Sequence, residues 1–212
     1  MPVDVKICGL MAEEAVATAV AGGARFVGFV FFPPSPRSLT PQRAAELTGA
    51  VPAGVTKVAL TVDADDDYLD AIVAKAGVDM LQFHGTEPPE RVSAIRERHG
   101  LPVMKAVAIA GPGDIGNARA YEAVADRLLF DARPPEGATR PGGNALAFDW
   151  ELIRGETWRL PWTLAGGLHA GNVAEAVRTS GASAVDVSSG VEDAPGVKNV
   201  AKIKAFLAAA NA

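Results

Sequence analysis

An α/β fold, built as a single-domain (β/α)8 barrel, is what this 212-residue sequence predicts. Three observations lead there. Short apolar, β-branched runs recur eight times, and most are nearly continuous in hydrophobicity, as expected of parallel strands covered on both faces. Helical patterns separate them. No composition break divides the chain, and with 49% hydrophobic residues it can bury a large core as one domain over residues 1–212. Eight strand–helix units in so few residues sit near the small end of the barrel range. An open doubly wound sheet is the competitor, but it normally shows fewer strands, and no G-x-G-x-x-G follows the first one.

The predicted strands are DVKIC (4–8), FVGFVF (26–31), KVALTV (57–62), DMLQF (79–83), PVMKAV (102–107), RLLFD (127–131), WTLAG (162–166) and AVDVS (184–188). After the second strand, LTPQRAAELTG reads as a helix with Thr40 as N-cap, Pro41 at the first helical position and Gly49 just past the end. After the third, DADDDYLDAIVAKAG places acids in the first turn, where the helix dipole favours them. Its Leu69, Ile72, Val73 and Ala76 keep helical spacing. FDWELIRG (148–155) suggests a shorter helix. The last helix is expected to carry Val197, Val200, Ile203 and Leu207 on one face.

Composition excludes several function classes. The formal net charge is −5 and no long basic stretch occurs, which argues against nucleic-acid binding and leaves room for a local anion site. One cysteine excludes an intrachain disulfide framework and a multi-cysteine zinc site. No basic-then-apolar leader opens the chain, and no apolar run approaches the roughly 20 residues needed to cross a bilayer. The expected location is the cytoplasm, without membrane partners, where Cys8 stays reduced. His84, His99 and His169 share no metal-ligand spacing, so no metal is expected. His99, in the charged helix end RERHG, reads as solvated. G-x-S-x-G is absent, and DADDD reads as a solvated helix start, not a calcium loop.

In such a barrel the chemistry sits where strands end and βα loops begin. Those positions hold Cys8-Gly9 after strand 1, Arg37 in the proline-stiffened loop after strand 2, and Asp63 after strand 3. Gln82 and His84 end strand 4, and Asp131 ends strand 6. Gly166-Gly167 follow strand 7, and Ser188-Ser189-Gly190 follow strand 8. Glycines let backbone N–H groups approach a ligand, and serine hydroxyls add donors. Either turn alone reads as an ordinary tight turn; together, after strands 7 and 8, they match the usual barrel phosphate site. Arg37 is either a solvated loop arginine or a fork for a carboxylate. Asp131 is either a structural acceptor or an acid. His84 fits a packing role and a substrate contact equally well. Gln82 orients a neighbour or faces the interior, and Asp186 reads as structural.

KICG, GFVFFPPSPRSLTP, LQFHG, FDAR…PGG…FDW, AGGL and DVSSGVE…PGVKN occur in this order along essentially the whole chain. In this ordered set the sequence resembles the phosphoribosylanthranilate isomerase family of tryptophan biosynthesis. The resemblance implies a TIM barrel of the ribulose-phosphate-binding type. It also implies an Amadori rearrangement of N-(5-phosphoribosyl)anthranilate, a phosphorylated small-molecule substrate, with no metal or organic cofactor. Carried over residue by residue, it implies Cys8 as general base, Asp131 as general acid and Arg37 as holder of the anthranilate carboxylate. A free thiol with pKa about 8.5 needs a nearby positive charge or aligned amides to act as a base near neutrality; the sequence does not identify that helper, and Arg37 is one candidate. The rival readings are another phosphate-binding barrel isomerase or synthase on a related phosphoribosyl compound, and a non-catalytic phosphometabolite-binding barrel. A monomer and a homodimer are both compatible with the sequence. One departure stands out: GGNALAFDW has Ala145 where the family usually has glycine, which carries a penalty if that position needs a positive φ. The loop from about 132 to 147, with three prolines, is expected to be a mobile cover over the substrate.

Overall fold

The computed structural model describes residues 2–135, 137–138, 140–143 and 145–212. Eight parallel strands close in sequence order: β1 (Asp4–Cys8), β2 (Phe26–Phe31), β3 (Thr56–Thr61), β4 (Met80–Phe83), β5 (Val103–Ile109), β6 (Arg127–Ala132), β7 (Trp162–Leu164) and β8 (Ala184–Val187). The closing pair sets Asp186 of β8 beside Lys6 of β1. The helices are α1 (Glu13–Ala21), α2 (Pro41–Thr48), α3 (Asp66–Lys75), α4 (Pro89–His99), α5 (Pro112–Arg119), α6 (Val173–Ser180) and α7 (Val200–Ala210). They form the crossovers that parallel strands require. Past β8 a small antiparallel hairpin, β9 (Glu192–Ala194) and β10 (Val197–Lys198), precedes α7.

Local chemistry explains the helix starts. Thr40 Oγ1 accepts from the Arg43 amide at 3.2 Å, with Pro41 opening α2. Asp65 Oδ1 accepts from the Tyr68 amide at 2.8 Å, so the DADDD run is a capped helix start.

Each strand has two buried faces. Outward residues such as Val5, Ile7, Val27, Phe29 and Phe31 join the helices in one contiguous core. A separate cluster of Phe26, Val58, Met80, Met104, Ala106, Leu129 and Ala165 fills the barrel interior. Two residues further along the same inward faces the character changes: Phe26 gives way to Gly28, Met80 to Gln82, Leu129 to Asp131. The barrel is thus apolar at depth and polar toward the C-terminal ends of its strands.

Three expectations need correction. The connection after β6 contains no α-helix among the described residues; FDWELIRG forms only the 3-10 turn Trp150–Ile153. Eight of the 29 residues from 133 to 161 are proline or glycine, and Gly155 follows the turn closely. Trp158 and Trp162 cover β6 instead, with ring centroids 4.8 and 5.6 Å from Phe130. Val197 is not on the last helix face: it lies in β10 and is 56% exposed, while Ile203, Phe206, Leu207 and Ala210 form the buried face. His99 is not solvated, since its side chain is only 7% exposed and its Nε2 lies 3.5 Å from Asp70 Oδ1.

Candidate active site

The polar end of the barrel opens into a cavity of about 480 Å³ lined by Cys8, Arg37, His84, Asp131 and the apolar Val30, Phe32, Leu60 and Val62. It adjoins a second cavity of about 400 Å³ lined by Gly166, Gly167, Ser188 and Ser189. Asp131, Gly142, Gly143, Asp186 and Ser188 border both, so the two form one cleft. Its size suits a small-molecule ligand, with an apolar, Arg-edged end and a Gly/Ser-lined end. All the candidate residues meet here except Gly190. That glycine packs against the Leu168 carbonyl so closely that a Cβ has no room. Gly190 therefore brings the loops after β7 and β8 into close contact.

Asp131 is held from two sides. Its Oδ1 accepts from the Ala132 amide at 2.8 Å, and its Oδ2 lies 3.2 Å from His84 Nε2. His84 Nδ1 faces the Gln82 side-chain amide nitrogen at 3.1 Å. With that nitrogen donating, Nδ1 accepts and Nε2 carries the ring proton toward Asp131. Gln82 lies on the inward face of β4 and His84 just past its end, so the strand's two-residue period builds a chain from the interior to the carboxyl group. Gly142 lies over it: a Cβ there would be 2.8 Å from Asp131 Oδ2.

Cys8 is buried, and it has a neighbour the sequence reading missed. Lys6, two residues earlier on the same inward face, is 0% exposed and donates from Nζ to Asp186 Oδ1 at 2.8 Å. Burial opposes the Lys6 charge, but Asp186 and Cys8 outweigh it and hold the ammonium above its ordinary pKa. Burial raises the Cys8 thiol above its ordinary pKa and Asp186 adds to this; Lys6, and more weakly Lys198, offset only part of the rise. The cations beside Cys8 are thus Lys6 and Lys198, and not the candidate Arg37.

Arg37 is committed elsewhere. It is 4% exposed, and its Nε and one terminal nitrogen (Nη2) donate to the two Glu192 oxygens at 2.7 Å each. Lys198 Nζ joins at 2.7 Å from Glu192 Oε1 and also donates to the Ser188 carbonyl and hydroxyl at 2.9 and 3.2 Å. Burial works to raise the Glu192 carboxyl, but the Arg37 hydrogen bond and Lys198 overcome it and hold it below the ordinary carboxylate range. Burial lowers Lys198 despite the same carboxylate. Arg37 Nη1 is left pointing toward Gly143, whose Cβ position is 2.8 Å away. Glu192 and Lys198 thus brace Arg37 and tie it to the Ser188 turn. Both lie within the motif DVSSGVE…PGVKN.

Described residues of the loop after β6 border the cleft. Gly142, Gly143, Ala145 and Leu146 line the second cavity, and Leu146 is 44% exposed. Gly167, at φ +62°, lets Leu146 and Ala147 approach: a Cβ there would be 2.7 Å from the Ala147 amide nitrogen. Ala145 adopts φ +58°, so the alanine does stand where glycine is favoured; the neighbouring Asn144 lies outside the described residues. Among the described residues, no cluster of three His, Cys, Asp or Glu suits a metal ion, and no helix is long and apolar enough to cross a membrane.

Comparison with known proteins agrees with this geometry. The family model described as N-(5'-phosphoribosyl)anthranilate (PRA) isomerase matches residues 5–209. A protein of that name from Paramagnetospirillum magneticum is 60% identical over 210 residues, covering 99% of this chain and 98% of the relative. Another from Rhodospirillum centenum is 57% identical over 213 residues, covering 100% of each chain. The crystal structure of phosphoribosyl anthranilate isomerase from Thermotoga maritima superposes with a TM-score of 0.88 at 35% identity, covering 98% of both chains. A phosphoribosyl anthranilate isomerase in complex with reduced 1-(o-carboxyphenylamino)-1-deoxyribulose 5-phosphate superposes with a TM-score of 0.83 at 33% identity, again over 98% of both. A near-complete model match, relatives at up to 60% identity and a shared barrel lead to one conclusion: this chain belongs to the N-(5'-phosphoribosyl)anthranilate isomerase family.

Proposed function

We propose that this enzyme isomerises N-(5-phosphoribosyl)anthranilate to 1-(2-carboxyphenylamino)-1-deoxyribulose 5-phosphate in tryptophan biosynthesis, in the cytoplasm, by acid–base catalysis from its own side chains. The observation that carries this reading is the placement of Cys8 and Asp131 on one cavity, next to the Gly/Ser turns after β7 and β8. The phosphate fits those turns, where backbone amides and the hydroxyls of Ser188 and Ser189 are available. The anthranilate ring fits among Val30, Phe32, Leu60 and Val62, with its carboxylate at Arg37. The ribose then lies between the acid and the base.

The chemistry follows from that arrangement. Asp131 gives a proton to the ribose ring oxygen, the C1–O bond breaks, and the anilino nitrogen lone pair forms an iminium. The Cys8 thiolate removes the proton from C2, and the electron pair left behind neutralises the iminium as an enolamine. Tautomerisation moves the hydroxyl proton of C2 to C1 and gives the ketone; the sugar has gained one proton from Asp131 and lost one to Cys8, and loss of the thiol proton to solvent with uptake of one by Asp131 resets both groups. His84 holds the Asp131 carboxyl in its orientation through the 3.2 Å contact. Each of the two proton transfers contributes about 10²–10⁴-fold. The test is turnover of phosphoribosylanthranilate by the purified protein, with the product reduced by borodeuteride. Deuterium at C2 identifies the ketose; unchanged substrate under conditions where the protein is folded refutes the reading.

A further inference from the structure

Lys6 is hard to explain as packing. It sits fully buried inside the barrel, in register with Phe26 of β2 and Asp186 of β8, two residues before the level of Cys8 and Gly28. A methionine would fill that space without bringing in a charge, and a buried ammonium is unfavourable unless it is paired. Asp186 supplies one partner, using one of the three Nζ donors. Cys8 lies on the same side of the strand. A Cβ built on Gly28 would stand 2.9 Å from Cys8 Sγ and 3.2 Å from Lys6 Nζ, so the two side chains meet over a glycine that places nothing between them. The other charged groups around Cys8 are committed. Arg37, in the loop after β2, is saturated on one edge by Glu192, and Lys198 of β10 is shared between Glu192 and Ser188. His84, just past β4, and Asp131 of β6 are paired with each other.

We propose that Lys6 is the positioning residue for Cys8: its buried ammonium, pinned by Asp186, holds the thiolate in the place and charge state that proton abstraction from the sugar requires. Lys6 touches no substrate; it acts through the sulfur. Asp186 competes with the thiolate for the same ammonium, so the two neighbours act on Cys8 in opposite directions. The inference rests on Cys8 being the base, and its test reads the sulfur without relying on turnover.

Cys8 is the one cysteine of the chain, so alkylation of the intact protein by iodoacetamide across pH reports this thiol alone. Lys6→Met is expected to move the alkylation profile to higher pH by about one unit or more, which is about tenfold slower reaction at a fixed pH below it. Asp186→Asn is expected to move it the other way. Lys6→Met combined with Asp186→Asn leaves no unpaired buried charge and serves if the single variant does not fold; with no ammonium beside a buried sulfur, its profile is expected to stay above that of the parent. The limb of the kcat profile set by the base moves with the alkylation profile. Coincident profiles for the double variant and the parent overturn the proposal. Activity retained in Cys8→Ala removes the base assignment instead and leaves the alkylation result standing, so the two failures are distinct.

Discussion

Replacing Glu192 by glutamine tests the ionic knot at the mouth of the barrel. Glu192 accepts two bonds from Arg37 and one from Lys198, all at 2.7 Å. The Arg37, Glu192 and Lys198 side chains are 5% exposed or less, so solvent screens them little. The substitution leaves two buried cations facing a neutral amide. Removing one partner of a buried pair costs about 3–5 kcal/mol, and the amide oxygen keeps one acceptor, which puts the expected loss at about 3 kcal/mol. For a chain of this size each kcal/mol moves Tm by about 2–4 °C. Thermal melting followed by circular dichroism should therefore show a Tm lower by about 6–12 °C. Adding Arg37→Met removes one stranded cation and should recover part of the loss, with a coupling of about 1–3 kcal/mol between the sites. A Tm within about 2 °C of the parent, or strictly additive effects, would refute the reasoning.

Three further outcomes follow. Glu192 has a folded pKa below its ordinary 4.5, so its contribution to stability is complete above that value and is lost as pH falls through the folded pKa; Glu192→Gln should flatten the acid limb of a Tm–pH curve, and an unchanged limb contradicts this. Ala145→Gly relieves a positive φ and should stabilise by about 0.5–1 kcal/mol after allowing for glycine's greater freedom when unfolded; a lower Tm counts against it. Arg37→Met should reduce kcat/KM about ten- to hundredfold, the value of a charge-assisted hydrogen bond, carried mainly by KM; a fall confined to kcat would place Arg37 in the proton transfers.

The strands were legible because burial on both faces leaves nearly unbroken apolar runs, and β1, β2 and β8 fall within a residue of the sequence reading. Thr40 and Asp65 were legible for a different reason, since capping is local. The connection after β6 was not, because a helical pattern four residues long cannot show that it stops there. Val197 misled because an apolar residue at helical spacing continues a pattern even past a turn; Gly196 and the hairpin end the register. In the site, Cys8, Asp131, His84 and the two turns could be read from strand ends. Lys6 was within reach: it shares strand parity with Cys8, and a lysine on an inward barrel face is itself a signal. The Glu192–Arg37 pair was not, since its partners are 155 residues apart and only barrel closure brings them together.

The central claim is that a sulfur and a carboxyl group on one cleft perform the two proton transfers. It is tested most directly by the kcat of Cys8→Ala and Asp131→Asn on phosphoribosylanthranilate, with circular dichroism spectra matching the parent. The account predicts that each falls by at least about 10²-fold; either variant turning over within a few-fold of the parent contradicts it.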